Sequence, residues 1–99
     1  MRYLVISRIR EAIVGDMIPA AQQKVGVEMQ RVLSSGKVTD SGIFVGARAG
    51  FMLVDVNSAE ELFELTAGLL DVSELQVHPL VSNEVLSQFF QQQAASRAS

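Results

Sequence analysis

The sequence has 99 residues, of which 48% are hydrophobic and 19% charged, and this balance predicts one folded domain rather than a disordered chain. Eight basic and eleven acidic residues leave a net charge of −3, which argues against a nucleic-acid-binding protein because phosphate binding needs a basic surface. With no cysteine and one histidine, the chain can form neither disulfides nor zinc sites built on thiolates or paired histidines.

No segment is typical of a targeting signal or a membrane span. The apolar run at 3–6 is shorter than the roughly 7–15 residues of a signal-peptide core. No stretch reaches the roughly 20 apolar residues that cross a bilayer. We therefore expect a soluble, cytoplasmic protein that has no membrane partner.

The first third of the sequence predicts a strand and a helix. Residues 3–6 are rich in β-formers, and the strand could extend to Ile9. Pro19 suits the first turn of a helix and Gly36 suits its C-terminal end, which predicts a helix over about 19–35. Its apolar stripe consists of Ala21, Val25, Met29, Val32 and Leu33. Gly26 inside this helix destabilises it relative to alanine, so we expect it to allow close packing.

The middle of the chain predicts a hairpin and a second helix. Strands are expected at 41–47 and 50–56, joined by a tight turn over 47–50. Ser58 followed three residues later by Glu61 is typical of a capping box, which predicts a helix that begins at Ala59 and ends near 68–70.

The last third predicts a strand at 75–78 and a terminal helix at about 84–93. Pro79 ends the central pairing of this strand or places it at a sheet edge. Asn83 could cap the helix, whose apolar face contains Val85, Leu86, Phe89 and Phe90. The domain is expected to span 1–93, followed by a flexible tail at 94–99.

The predicted order is β-α-β-β-α-β plus a terminal helix, which is the ferredoxin-like α+β arrangement with a four-stranded antiparallel sheet. Two helices cover only one face of such a sheet. The runs at 3–6, 43–45 and 51–54 are apolar on both faces, so a second cover is needed. We expect that cover to be the same sheet of a second copy in a homodimer. The alternative is that the terminal helix folds over this face.

The segment at 43–62 and its surroundings contain a helix-ending glycine, a Gly-x-x-Ala hairpin turn, an Asp-Val strand end and a Ser-x-Glu-x-Leu helix start, at Gly36, Gly46, Ala49, Asp55, Val56, Ser58, Glu60 and Leu62. In these features the chain resembles the muconolactone isomerase family of the dimeric α+β barrel proteins. The resemblance covers about 29–70. It implies a barrel of two sheets, a ring of such dimers, and lactone isomerisation by proton transfer in a cofactor-free pocket between sheet and helices.

Two residues are candidates for proton transfer. His78 carries the one side chain that titrates near neutrality without perturbation, and it could act as a general base. Asp55 is a candidate for orienting it, because relatives in the barrel superfamily use a His–Asp pair. The alternative is an exposed histidine at a strand end and an aspartate that closes the turn before the second helix.

Three further residues are candidates for substrate binding. Arg8, in or just after the first strand, could bind a carboxylate through two hydrogen bonds. Tyr3 could offer a hydroxyl to the barrel interior, or it could pack in the core. Glu28 could contact substrate, or it could pair with Lys24 on the surface of the first helix. Arg48 at the hairpin could bind a carboxylate in the same way, or it could be a solvated turn residue.

These features leave several functions open. The first is a cofactor-free isomerase or lyase that acts on a small acidic metabolite, with Arg8, His78 and Asp55 in its site. The second is a non-catalytic module that oligomerises or binds a ligand. A cofactor-independent oxygenase on the same scaffold is the least favoured, because the chain has no tryptophan and a single histidine.

Overall fold

The computed structural model describes residues 1–98 and confirms the predicted order of elements. The strands are β1 (Arg2–Ile9), β2 (Val38–Ile43), β3 (Ala49–Asp55) and β4 (Ser73–Leu80). The helices are α1 (Ile18–Ser34), α2 (Ala59–Thr66) and α3 (Asn83–Ala98), with 3-10 turns at Gly15–Met17 and Ala67–Asp71. Within residues 1–98, no helix combines the length and the apolar character that a membrane crossing requires.

The four strands form one antiparallel sheet in the order β2-β3-β1-β4. This is the ferredoxin-like α+β fold that the sequence predicts. β1 is central and pairs with β3 on one side and with β4 on the other. β4 is an edge strand that pairs only with β1. Pro79 has no amide hydrogen to donate, and at the edge there is no second neighbouring strand that would need it.

The hairpin differs from the prediction in its boundaries. β2 begins and ends earlier than predicted, and the connection runs over 44–48 rather than 47–50. Gly46 adopts a φ of +81°, a conformation that favours glycine, so the turn forms around it. Gly50 lies inside β3, opposite Ile43.

The helix ends follow the predicted signals. Gly36 has a φ of +78° just beyond α1, as expected of a glycine that ends a helix. At the start of α2 the hydroxyl oxygen of Ser58 accepts from the amide of Glu61 at 3.1 Å. The Glu61 carboxylate accepts in return from the amide of Asn57 at 3.1 Å, one residue earlier than in a standard capping box.

The core lies on the side of the sheet that faces α1 and α2. Its buried side chains are Tyr3, Val5, Val32, Met52, Val54, Val56, Leu62, Leu65 and Leu69. Side chains alternate along a strand, so the neighbouring residues Leu4, Ile6, Phe51 and Leu53 lie on the opposite side, which we call the open face. These four are half-buried and form its apolar centre.

The terminal helix does not cover the open face. Every side chain of α3 over 83–97 is exposed, which overturns the alternative in which this helix folds over the sheet. The helix is also longer than predicted: it continues to Ala98 through most of the predicted tail at 94–99, of which Ser99 lies outside the described residues. The hydroxyl oxygen of Ser82, rather than the Asn83 side chain, accepts from the amide of Val85 at its start.

Candidate functional site

A groove lies between α1 and the helix-facing side of the sheet, with a volume of about 690 Å³. α1 contributes Val25, Met29 and Leu33 to one wall, and the sheet contributes Val5, Ile9 and Met52 to the other. Ile43, at the end of β2, lies at its rim and is 84% exposed. The groove therefore has mostly apolar walls and occupies the end of the sheet where β1 finishes and the hairpin turns.

Small side chains leave this space open. Ser7, Gly26, Ser41 and Gly50 line the groove where larger residues would fill it. A Cβ atom placed on Gly26 would meet no atom within 4 Å outside its own stretch of helix. The close packing expected at Gly26 is therefore absent, and the missing side chain contributes to the groove instead.

The polar groups of the groove are few. Ser7, Gln22 and Ser41 provide hydroxyl and amide groups, and Arg48 is the one charged residue among its described lining residues. The Arg48 guanidinium donates to the carbonyl oxygens of Ile13 at 3.1 Å and Arg10 at 3.4 Å. Arg48 thus ties the loop after β1 to the hairpin, and it makes no ion pair with a described carboxylate.

His78 and Asp55 lie on the open face, outside the groove. His78 is opposite Leu4 on β1, whereas Asp55 is opposite Arg2 on the other flank of β1. With neighbouring strands about 4.8 Å apart, the two side chains are separated by about 10 Å across the sheet alone. The register therefore does not allow Asp55 to orient His78 within one chain. The Asp55 carboxylate instead lies 3.5 Å from the amino terminus of Met1.

Arg8 and Tyr3 are not brought together either. Arg8 is exposed on the open face, opposite Ala49 and Glu74, at the end of the sheet away from Asp55. Tyr3 packs in the core on the helix-facing side with 8% of its surface exposed. Of the two alternatives for Tyr3, this placement matches packing in the core, and the side chain lies on the side of the sheet away from the open face.

Glu28 pairs with basic residues of its own helix, lies against the 3-10 turn at Gly68 and is not part of the groove. Its carboxylate lies 2.9 Å from the Arg31 guanidinium and 3.7 Å from the Lys24 ammonium. Arg31 also donates to the carbonyl oxygen of Leu65 at 2.8 Å. A side chain on Gly68 would collide with the Glu28 carboxylate, so the glycine allows this close approach. The Glu28 network therefore links α1 to α2 and to the 3-10 turn that follows it.

The sequence did not predict the groove or three of its four polar residues. The fourth, Arg48, was left open between a carboxylate ligand and a solvated turn residue, and it contributes to the lining. Ser7, Gln22 and Ser41 carry no motif in the sequence. The one signal that could have identified the site is Gly26, a glycine inside an otherwise regular helix. It directly follows the apolar Val25 and stands one turn before Gln30.

Comparison with known proteins supports the fold and leaves the activity open. A family model described as Domain of unknown function (DUF3303) matches residues 1–94. No curated protein matches the sequence. Among solved structures, muconolactone isomerase is similar with a TM-score of 0.61 and 22% identity over 83% of this chain and 90% of that protein. The predicted resemblance is confirmed as a likeness of fold.

Two further structures resemble the chain more weakly. A protein from Thermus thermophilus has a TM-score of 0.48 and 17% identity, over 82% of this chain and 95% of its own. A protein from Agrobacterium tumefaciens has a TM-score of 0.43 and 17% identity, over 82% and 94%.

Proposed function

We propose that this chain, which belongs to the DUF3303 family, binds a small, largely apolar acid in the groove beneath α1. The observation that carries the proposal is an apolar groove of about 690 Å³ with one cation, Arg48, among its described lining residues. Sites for small molecules usually have volumes of about 300–1,000 Å³, mostly apolar walls and a few polar groups that fix orientation. A guanidinium is well suited to hold a carboxylate.

The presence of glycine at position 26 is explained better by a bound ligand than by a packing defect. A glycine inside a helix costs about 0.5–1 kcal/mol of stability relative to alanine. Nothing in the fold requires it at position 26, because an added Cβ would meet open space. The glycine does widen the groove, and a bound molecule would make use of that extra width.

The lining favours binding over proton transfer. An isomerase or lyase needs a general base within about 3 Å of the proton that it removes. The described lining residues include no Asp, Glu, His, Lys or Tyr. Of the functions that the sequence leaves open, the ligand-binding module fits this groove better than the isomerase or lyase does.

We also propose that two copies pair through their open faces. The centre of this face is formed by Leu4, Ile6, Phe51 and Leu53, all half-buried in the single chain. Arg2 and Asp55 lie at one end and Arg8 and Glu74 at the other, so each end offers both charge signs to a second copy. An apolar centre with a charged rim is typical of a protein interface.

A fluorescent apolar anion tests the binding proposal. Anilinonaphthalene sulfonate combines aromatic rings with one negative charge, and we expect saturable binding with one site per chain. Gly26→Phe places an aromatic ring in the groove and should weaken binding at least ten-fold. The matched control is Gln23→Phe, which adds the same ring at an exposed position of α1 that does not line the groove; it should leave affinity within two-fold.

Two results would contradict the proposal. Binding that Gly26→Phe leaves unchanged would place the probe elsewhere, for example on the open face, and an absence of saturable binding would remove the site. Turnover is tested separately with muconolactone, the substrate named by the structural relative, in deuterated water. We expect neither isomerisation nor exchange of its ring protons, and exchange that Gly26→Phe abolishes would establish an enzyme instead.

A further inference from the structure

The loop at 10–17, between β1 and α1, has few contacts that hold it in place. Ile13 is buried, whereas Val14 and Met17 are 59% and 54% exposed. Within the loop, the amide of Ile13 donates to the carbonyl oxygen of Arg10 at 3.0 Å, and the amide of Met17 donates to that of Val14 at 3.2 Å. These two bonds give the loop its shape but do not attach it to the sheet. Arg10 attaches only its first residue, to the segment before β4.

Arg48 attaches the rest of the loop to the hairpin. Its guanidinium donates to the carbonyl oxygens of Ile13 at 3.1 Å and Arg10 at 3.4 Å. Within the described part of the chain, no other hydrogen bond joins the hairpin to this loop. The backbone of Arg48 is itself fixed, because its carbonyl oxygen accepts from the amide of Ile9 at 3.0 Å. The same side chain lines the groove, so one guanidinium touches both the loop and the proposed ligand site.

The guanidinium has donors left for a ligand. It carries five N–H groups, of which the two loop carbonyls need two. A carboxylate takes two more when both of its oxygens accept, so it can bind without displacing the loop. The loop has two carboxylates of its own, on Glu11 and Asp16, but neither forms an ion pair with Arg48. An acidic ligand would supply the negative charge that Arg48 lacks.

We infer that the binding of an acid at Arg48 and the closure of the loop at 10–17 are coupled, because each holds the guanidinium in the position that the other needs. The inference deepens the proposed function, on which it rests for the identity of the groove as an acid-binding site. A free arginine side chain samples many rotamers, and fixing it costs entropy once. Whichever partner binds second therefore binds more favourably, and the coupling is reciprocal.

The coupling makes the loop respond to the acidic group of a ligand rather than to its apolar body. The apolar walls of the groove are formed by α1 and the sheet, and none of the residues at 10–17 is among its described lining residues. A neutral molecule of the same shape would fill the groove without holding Arg48. The loop would then stay as mobile as it is in the free protein.

Hydrogen exchange at the amides of Ile13 and Met17 measures loop closure, since both amides donate within the loop. At saturation with a naphthalene carboxylate, we expect exchange at both amides to slow at least five-fold. The matched ligand is the corresponding naphthalene carboxamide, which has the same rings and no charge. It should occupy the same groove and change exchange at these amides by less than two-fold.

Arg48→Lys tests whether the guanidinium carries the coupling. Lysine keeps the charge, but an ammonium cannot hold two carbonyls and a carboxylate together as the planar guanidinium can. Without ligand, exchange at Ile13 and Met17 should become at least five-fold faster, and the carboxylate should then change it by less than two-fold. The matched control is Arg97→Lys, the same substitution at an exposed position of α3, which should leave exchange in the loop unchanged.

Ile13→Ala tests the coupling in the other direction. The Ile13 side chain is buried but does not line the groove, so its removal loosens the loop and leaves Arg48 and the groove walls in place. We expect the affinity for the carboxylate to fall at least three-fold, because the loop no longer holds the guanidinium. The affinity for the carboxamide should stay within two-fold, whereas an equal loss for both ligands would overturn the inference.

The other outcomes separate the inference from the proposed function. Resonance shifts at Gly26 without slower exchange in the loop would overturn the coupling and leave the binding site intact. Faster exchange on binding would mean that Arg48 leaves the loop to reach the ligand, and equal protection by the carboxamide would mean that the acidic group is not sensed; either result overturns the coupling. If neither ligand binds the natural chain, the proposed function fails and the coupling fails with it.

Discussion

The helix-facing side of the sheet is densely packed in one region and hollow in another, where the groove lies. Around α2, Leu62, Leu65 and Leu69 pack onto β1 and β3 and are almost completely buried. α1 is twice as long as α2 but buries only Ala21 and Val32. Both regions use the same two strands, so the difference comes from side-chain size: leucines fill one region, whereas Gly26 and two serines leave the other empty.

The packed region should respond most strongly to a loss of volume. Leu69→Ala removes a side chain with 0% exposure and should lower the free energy of unfolding by about 2–5 kcal/mol, because the cavity that it leaves can only partly collapse. Urea denaturation measures this change. A loss below about 1 kcal/mol would mean that the region around α2 is as loosely packed as the groove.

At the boundary between the two regions, the effect of a substitution on stability should depend on Glu28. Gly68→Ala would force the Glu28 carboxylate to move and weaken its contact with Arg31, at a cost of about 1 kcal/mol. In a Glu28→Ala background the collision is absent, so the same substitution should be neutral or slightly stabilising. An equal loss in both backgrounds would show that the space at Gly68 is limited by something other than Glu28.

In the groove region, a substitution that adds volume should increase stability rather than reduce it. Gly26→Ala adds a methyl group that meets no neighbour, so the improved helix propensity should raise the free energy of unfolding by about 0.5–1 kcal/mol. Thermal and urea unfolding both report it. A destabilised variant would show that the groove is packed in solution. The two regions would then not differ in packing.

The smallest effect is expected at the surface. The Lys24 ammonium lies 3.7 Å from Glu28 and 3.5 Å from Asp71, yet Lys24 is 41% exposed and Asp71 is 69% exposed. Lys24→Gln should therefore change stability by less than about 0.5 kcal/mol, and added salt should remove the difference. A loss above about 1 kcal/mol would give this ion pair a greater part in holding α1 in place than its exposure suggests.

The sequence predicted most of the fold because its local signals agreed. Pro19 and Gly36 mark the ends of α1, and the Ser58 cap marks the start of α2 within a residue. The hairpin was displaced because both Gly46 and Gly50 suit a turn, and only the pairing of β2 with β3 decides between them. The number of helices also predicted that one face of the sheet is left uncovered, because two helices cover only one face of a four-stranded sheet.

The candidate site was largely hidden in the sequence because it is defined by absent side chains. His78 and Asp55 are chemically conspicuous, but strand register places them on opposite flanks of β1. Serines and glycines that line a cavity look the same in sequence as serines and glycines in loops. The cavity forms only when β1, α1 and the hairpin come together in three dimensions.

Ligand binding in the groove beneath α1 can be located by mapping where a ligand changes the amide resonances of ¹⁵N-labelled protein. A naphthalene carboxylate serves as the ligand. We predict the largest shifts at Gly26, Ser41 and Gly50, which line the groove, and small shifts at Leu4 and His78 on the open face. Shifts concentrated at Leu4 and His78, with none at Gly26, would show that the ligand binds the open face and that the groove is not a binding site.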